Sequence, residues 1–525
     1  MSNHREQWGS KLGAILAVAG SAVGLGNFLR FPAKAALNGG GAFMIPYLVA
    51  LFLLGIPLMW IEWTLGRMGG RNGFGTATSI FAAVTRNSTA ARILGAIGIV
   101  GPFIILIYYT FIESWTLAYA YFAFTGTLPT TGGQPELRTF LSGFQGLEQN
   151  TYFSHIGPAY LFFTITFILN FFFIYRGVRG GIEKLSRIGM PILLILAVVL
   201  VVRTLTLGTP DPARPDLSIP NALNFIWTPD IESLGNARVW LEAAGQMFFT
   251  LSIGMGVIIA YASYLKKDED VVLSGLSAAS TNEFCEVILG GSVVIPAAFV
   301  FFGAVGTMEI ARSGLFNIGF VTMPLIFGKI PLGALFAGIW FLLLFIAGIT
   351  SSVSMVQPAM SFLQDELKIS REKAALILGG IAFLACQPVI FFLGHGIVDE
   401  LDFWGGTVFL VLFATIETII FGWVIGIEKA WEEMHQGAEI RVPRIYRFII
   451  KYVTPIYLLV ILGAWGYQQF VPTILMTSVA EADRPYIWGA RALVFGMLAL
   501  VIVLTIYAAK RLKRSTTTVE VVHEN

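Results

Sequence analysis

Charge is scarce in these 525 residues: Asp, Glu, Lys and Arg make up 13% of the chain, against 56% hydrophobic residues. A water-soluble domain has no way to hide so much apolar surface, and a mean hydropathy of +0.75 places the chain in a bilayer. Cysteine and histidine are scarce too. Cys285 and Cys386 both fall in long apolar runs, form neither a zinc spacing nor an external pair, and read as small packing residues. The five histidines show no ligand or nucleophile pattern, so the chain is not expected to be an enzyme. With a net charge of +2 and basic residues dispersed along the chain, no nucleic-acid partner is expected.

What is abundant is long apolar runs. Hydrocarbon demands spans of about 20 apolar residues whose backbone bonds are satisfied internally, and continuous runs indicate helices, where a barrel would show alternation. Twelve spans are expected, near 12–36, 41–66, 93–123, 158–175, 189–207, 241–264, 274–304, 335–364, 374–393, 398–425, 447–470 and 485–509. The fold class is therefore an all-α polytopic membrane protein. Lys and Arg concentrate on one side of that arrangement, among them Arg5, Lys11, Arg67, Arg71, Arg92, Arg176, Arg179, Lys184, Arg187, Lys266, Lys267, Arg441, Arg444 and Arg447. The positive-inside rule then puts both termini in the cytoplasm. The first run is long, contains Asn27 and Arg30 and leads directly into another span, which argues against a cleaved signal peptide.

Two spans differ from the rest. The first carries Gly24-Leu25-Gly26 and the sixth Gly254-Met255-Gly256, each in mid-span among small or hydroxylated residues. Glycine also serves close helix packing, and one triplet alone reads that way. Two at matching places in two halves point instead to interrupted helices, tolerated at mid-membrane only where they are buried or line a cavity. There free carbonyls attract a cation, and the N–H groups at a half-helix start attract a carboxylate.

The stretch WGSKLGAILAVAGSAVGLGNFLRFP from Trp8 resembles the neurotransmitter sodium symporters, and within them the bacterial leucine-transporter branch. So do IYYTFIESW at 107–115, RGVRGGIEK at 176–184, GQMFFTLSIGMGVIIAYASYLKKDED at 245–270, NEFCEVILGGS at 282–292, AGITSSVSMVQPAMSFLQDEL at 347–367 and DFWGG at 402–406. The resemblance implies a multi-pass protein of the bacterial inner membrane that couples sodium to small neutral, leucine-like amino acids by alternating access. It implies an inverted five-plus-five repeat: helices 1–5 over 11–210, an extracellular loop at 211–240, and helices 6–10 over 241–425. Around these stand a cytoplasmic segment at 1–10, helices 11 and 12 over 426–510 and a tail at 511–525. The role of helices 11 and 12 is open, a homodimer contact being one reading.

The resemblance also implies the site. One sodium ion would take Ala22, Asn27, Thr250 and Asn282, completed by the substrate carboxylate; a second would take Gly20, Val23, Ala347, Thr350 and Ser351. Sodium is a hard cation that prefers such oxygens, and no organic cofactor is implied. The amino acid would meet Ala22, Leu25, Gly26, Tyr109, Phe249, Thr250 and Ser252, with its side chain among Ile105, Phe249, Ser252, Met255, Ser351 and Met355. Arg30 and Asp402, near Gln246, match an outer gate, and Arg5 and Asp365 an inner one, although either pair read singly is equally a static ion pair. Glu286 stands where chloride-requiring members of the family have a neutral residue, which implies no chloride requirement. Glu62, Glu113 and Glu417 read as structural. Read without the resemblance, the composition also suits an ion channel. The preferred amino acid, whether leucine, methionine, alanine or an aromatic one, stays open.

Overall fold

The computed structural model describes residues 6–85 and 88–523, with side chains to residue 511 apart from that of Gln469. Among these residues ten helices are long and apolar enough to cross a membrane. In chain order with the two broken segments they give α1 (Lys11–Ala22 and Leu25–Leu37), α2 (Gly41–Arg71), α3 (Thr89–Phe124), α4 (Gly157–Tyr175) and α5 (Val178–Leu205). There follow α6 (Ala237–Leu251 and Val257–Ala262), α7 (Val272–Arg312), α8 (Gly333–Asp365) and α9 (Arg371–Phe391). The last three are α10 (Ile397–Val424), α11 (Ile445–Gln468) and α12 (Arg484–Arg511).

The two pieces of α1 meet at 50°. In α6 neither piece is long enough to span alone, because the chain leaves the helix at Ser252 and rejoins it only at Val257. Ser252, Gly254 and Gly256 all adopt positive φ, at 53°, 73° and 70°. At the two glycines space is short as well as φ: a Cβ on Gly254 would lie 2.5 Å from the Leu410 carbonyl oxygen, and one on Gly256 2.6 Å from that of Gly98. The α6 break is thus wedged between α10 and α3, and only glycine fits there. Glu62 on α2 stabilises it further, taking the Gly254 N–H at 2.6 Å.

The span expected near 189–207 begins earlier, at Val178. Charged RGVRGGIEK reads as loop, yet it forms a wide helical turn that buries Glu183. Glu183 accepts from Gly9 N–H at 2.7 Å and Ser10 hydroxyl at 3.0 Å, fixing the N-terminal segment across this end of the bundle. Trp8 is buried there with its indole N–H on the Tyr261 carbonyl at 2.8 Å, and Glu6 pairs with Arg371 at 3.0 Å. Arg67, expected among the loop cations, is instead fully buried at the same end. It ties α2 to the main-chain oxygens of Glu269 at 2.7 Å, Gln436 at 2.5 Å and Glu433. The opposite end opens in a vestibule whose lining includes Arg30, Arg238, Glu242, Thr407 and Trp465.

Candidate functional site

Both breaks lie side by side in the middle of the bundle. Ser252 at the α6 break donates its hydroxyl to the Ser21 carbonyl at the α1 break, at 2.9 Å. The second piece of α1 starts with a side-chain cap: Asn27 Oδ1 accepts the Gly24 N–H at 2.8 Å, which commits the asparagine carbonyl to its own helix. Beside the cap, Leu25 N–H approaches the Tyr109 hydroxyl at 3.4 Å. A half-helix N-terminus therefore faces α3 with a partial positive charge.

Between the breaks lies a small cavity lined by Ser21, Ala22, Gly24, Leu25, Gly26, Asn27, Ile105, Tyr109, Phe249, Ser252, Met255, Ser351 and Met355. No lining side chain is ionisable at neutral pH. Ten of the eleven residues expected to meet a substrate are here; the exception is Thr250, whose side chain points into the adjoining polar cluster. Gly24 and Gly26 let the helix start approach its neighbours. A Cβ on Gly24 would sit 3.1 Å from Ser351 Oγ and 3.2 Å from Tyr109 Oη, and one on Gly26 2.4 Å from the Phe249 ring. Phe249 is layered between Gly26 and Arg30, whose guanidinium stands 4.5 Å from the ring centroid, a cation–π contact that holds the ring over the cavity.

The polar cluster joins Asn27, Thr250, Asn282 and Glu286, all buried. Asn27 Nδ2 lies 3.2 Å from the Thr250 hydroxyl. Thr250 donates to Glu286, which also accepts from Gln246 and, at 2.8 Å, from Tyr47. Glu286 thus orients the Thr250 hydroxyl so that its lone pairs face the two asparagines. Tyr47 was not among the expected site residues, and its run in α2 has no pattern that would single it out.

Asn282 has no orientation that suits all its neighbours. One end of its amide is 2.8 Å from Asn27 Nδ2 and 3.2 Å from the main-chain oxygens of both Ala22 and Thr250; the other is 2.9 Å from the Thr250 hydroxyl. With nitrogen at the first position the two carbonyls are satisfied, but donor meets donor at Asn27. With oxygen there, Asn27 is satisfied but the Ala22 and Thr250 carbonyls face a third oxygen instead of a donor. A buried acceptor without a partner costs about 1–3 kcal/mol. A hard cation among these oxygens removes the conflict, and the donor set of amide, hydroxyl and carbonyl oxygens fits sodium.

A second oxygen cluster lies between α1 and α8. Ser351 Oγ is 3.0 Å from the Ala347 carbonyl, 3.1 Å from that of Ser21 and 3.5 Å from that of Gly20. The Thr350 hydroxyl bonds back to its own helix, at 3.0 Å to Ile346 and 3.2 Å to Ala347. Gly20, Ala347 and Ser351 are therefore brought together; Thr350 packs against Gly20 and shares the Ala347 carbonyl with Ser351, and Val23 joins as part of the α1 break. Close by, Glu113, Asn170 and Ser352 form a buried chain: Asn170 Nδ2 donates to both Glu113 oxygens at 3.1 Å and Ser352 donates to Asn170 at 2.6 Å.

The outer-gate residues take separate partners. Arg30 and Asp402 form no ion pair among the described residues: Arg30 lies over Phe249, while Asp402 accepts from the Tyr108 hydroxyl at 2.6 Å. Gln246 turns its amide nitrogen to Glu286, because a buried carboxylate is the stronger acceptor. Arg5 lies outside the described residues, and Asp365 ends α8.

A polytopic bundle with a buried cavity between two broken helices, its own N-terminal segment docked across one end and a vestibule at the other, has the build of a membrane transporter. The profile of the Sodium:neurotransmitter symporter family matches residues 5–139 and 134–515, and the chain belongs to that family of sodium-dependent transporters. An uncharacterized sodium-dependent transporter of Methanocaldococcus jannaschii is 33% identical over 86% of this chain and 89% of its own length. Another, of Haemophilus influenzae, is 29% identical over 88% of this chain and 98% of its own. The crystal structure of MhsT in complex with L-phenylalanine matches with a TM-score of 0.73 at 30% identity, covering 87% of this chain and 99% of that one.

Proposed function

We propose that this chain is a symporter that couples sodium to small neutral, hydrophobic amino acids, and that the cavity between the α1 and α6 breaks holds the amino acid. The observation that carries the reading is the conflicted Asn282 amide, whose crowded oxygens a cation beside it would satisfy. The amino-acid carboxylate would meet the Leu25 and Gly26 N–H groups and Tyr109, and complete the shell of a sodium ion at Ala22, Asn27, Thr250 and Asn282. A shared ligand makes each partner raise the other's affinity. The ammonium would meet the carbonyls of Ala22, Phe249 and Thr250 and the Ser252 hydroxyl.

Ile105, Phe249, Met255 and Met355 give the side-chain pocket apolar, partly flexible walls, and nothing there compensates a buried charge. The relative whose structure contains phenylalanine shares this fold, which supports a hydrophobic cargo. A second sodium ion would use Gly20, Val23, Ala347, Thr350 and Ser351. Glu286 supplies a fixed negative charge next to the first ion, so no chloride is required. Both termini would be cytoplasmic in the inner membrane of a bacterium, with the 11–210 and 241–425 repeats moving about the site and Arg30, Asp402, Arg5 and Asp365 serving as gates.

The test is uptake of tritiated neutral amino acids into proteoliposomes. Saturable uptake driven by an inward sodium gradient is expected, and uptake unchanged when choline replaces sodium overturns the proposal. Competition by the twenty standard amino acids then ranks the cargo. In the same system Gly26→Ala is expected to weaken binding about tenfold, since overpacking of this kind costs about 1–3 kcal/mol and the added methyl displaces the Phe249 ring. Equilibrium binding at saturating sodium measures it.

A further inference from the structure

Helices α11 and α12 lie outside the proposed repeat, yet α12 grips the helix that carries Asp402. The vestibule end of α10 is the short stretch Ile397–Asp402, and a wide turn at Phe403–Val408 separates it from the rest of the helix. Wide turns of this kind interrupt the regular hydrogen-bond ladder and are frequent at functional sites. Glu400, on the short stretch, is 5% exposed and accepts Arg491 Nε of α12 at 2.6 Å and Trp404 Nε1 at 2.8 Å. The remaining Arg491 nitrogens go to the main-chain oxygens of Ile474, at 3.0 Å, and Thr473, at 2.7 Å, in the connection between α11 and α12. A second contact links the same two elements: His395, just before α10, lies 2.7 Å from Asp483 and stacks on Tyr486 at 4.0 Å.

Two residues beyond Glu400, Asp402 faces the other way and takes the hydroxyl of Tyr108, the neighbour of cavity-lining Tyr109. One short stretch of α10 is therefore held on one side by α12 and on the other by α3 at the cavity. We propose that Arg491 is a positioning residue: through Glu400 it sets the vestibule end of α10 in the place from which that helix closes over the bound amino acid. The inference rests on the transport reading. A planar guanidinium that donates from three nitrogens in a rigid fork fixes position and orientation together, which an ammonium, whose donors all rotate about one nitrogen, does not do. The step is mechanical and involves no charge transfer.

The test uses the full chain in nanodiscs of phosphatidylethanolamine and phosphatidylglycerol. Cys285 and Cys386 are both buried, so Thr407→Cys places an accessible thiol in the vestibule lining. Two quantities are read: the dissociation rate of bound tritiated phenylalanine in sodium, and the rate at which a membrane-impermeant maleimide alkylates that thiol. In Arg491→Ala, dissociation is expected at least fivefold faster, and phenylalanine is expected to lose its protection of the thiol. Arg491→Lys, which keeps the charge but not the rigid fork, should fall between. Unchanged dissociation and protection in a folded Arg491→Ala protein overturn the brace. Should that variant fail to fold, Glu400→Gln and His395→Phe keep the side-chain shape and carry the same measurement; faster release in either supports the brace, and no change in both overturns it. Failure of the transport reading appears separately, as no sodium-dependent phenylalanine binding in the unaltered protein. Thiol accessibility in sodium against choline then still reads whether Arg491→Ala loosens α10, and an identical response to that of the unaltered protein counts against the brace.

Discussion

Replacing Asn27 by Ala is expected to weaken sodium and amino-acid binding together, and by similar factors. The side chain does two things at once. Its oxygen caps the second piece of α1 at Gly24, and its nitrogen holds Thr250 and Asn282 in the oxygen cluster. Loss of a cap costs about 0.5–2 kcal/mol, and here the freed Gly24 N–H lies at the helix start where a carboxylate is to bind. Coupling energies between linked sites run about 1–3 kcal/mol, or about 5–150-fold in affinity. Binding of labelled amino acid, measured over a series of sodium concentrations, should show a higher half-saturating sodium level and a shallower dependence on sodium. A variant that bound more weakly but kept the full sodium dependence would place the shared ligand elsewhere.

Glu286→Gln is expected to have an effect of comparable size with a distinct signature. Three donors converge on this carboxylate, from Tyr47, Gln246 and Thr250. Hydrogen bonds to a charged group contribute about 1.5–3 kcal/mol each, and an amide keeps the shape while losing the charge and turning one acceptor into a donor. The Thr250 hydroxyl is then free to rotate away from the asparagines, and the cation site loses a nearby negative charge. Sodium affinity should fall at least tenfold in chloride-free buffer. The proposal further holds that an added anion partly replaces the lost charge, so chloride should restore sodium-dependent binding in this variant and do nothing to the unaltered protein. Chloride-stimulated binding in the unaltered protein, or none in the variant, contradicts the assigned role.

Much of the architecture was legible before any coordinates. Long apolar runs gave span positions that most helix ends reproduce to within a few residues, because the length of hydrocarbon to be crossed leaves little freedom; the start of α5 and the end of α7, eleven and eight residues off, are the exceptions. The α1 and α6 breaks were legible as two glycine triplets, and the structure adds why glycine is needed at Gly254 and Gly256. Less visible were features set by long-range contact. The start of α5 was missed because its charges read as loop, while Glu183 is buried by partners from the N-terminal segment. Arg67 read as a topological cation, yet it binds carbonyls from segments 200 and more residues away in the chain. Tyr47, Tyr108 and Arg491 carry no local signal, since each acts on a carboxylate supplied by a distant helix.

The Asn282 amide has a further consequence for fidelity. A transporter leaks when it closes around sodium alone or around its cargo alone, and the gradient is then dissipated without work. Without an ion the cluster keeps either two donors face to face or two carbonyls against a third oxygen, so the ion-free arrangement is raised in energy by its own side chains. If the proposed symport cycle holds, closure without the cation is discouraged by the amide itself. On the proposed reading the asparagine would be a check on stoichiometry as well as a ligand, and substitutions that relieve its conflict should show up first as slippage, with sodium and solute flux no longer in fixed ratio.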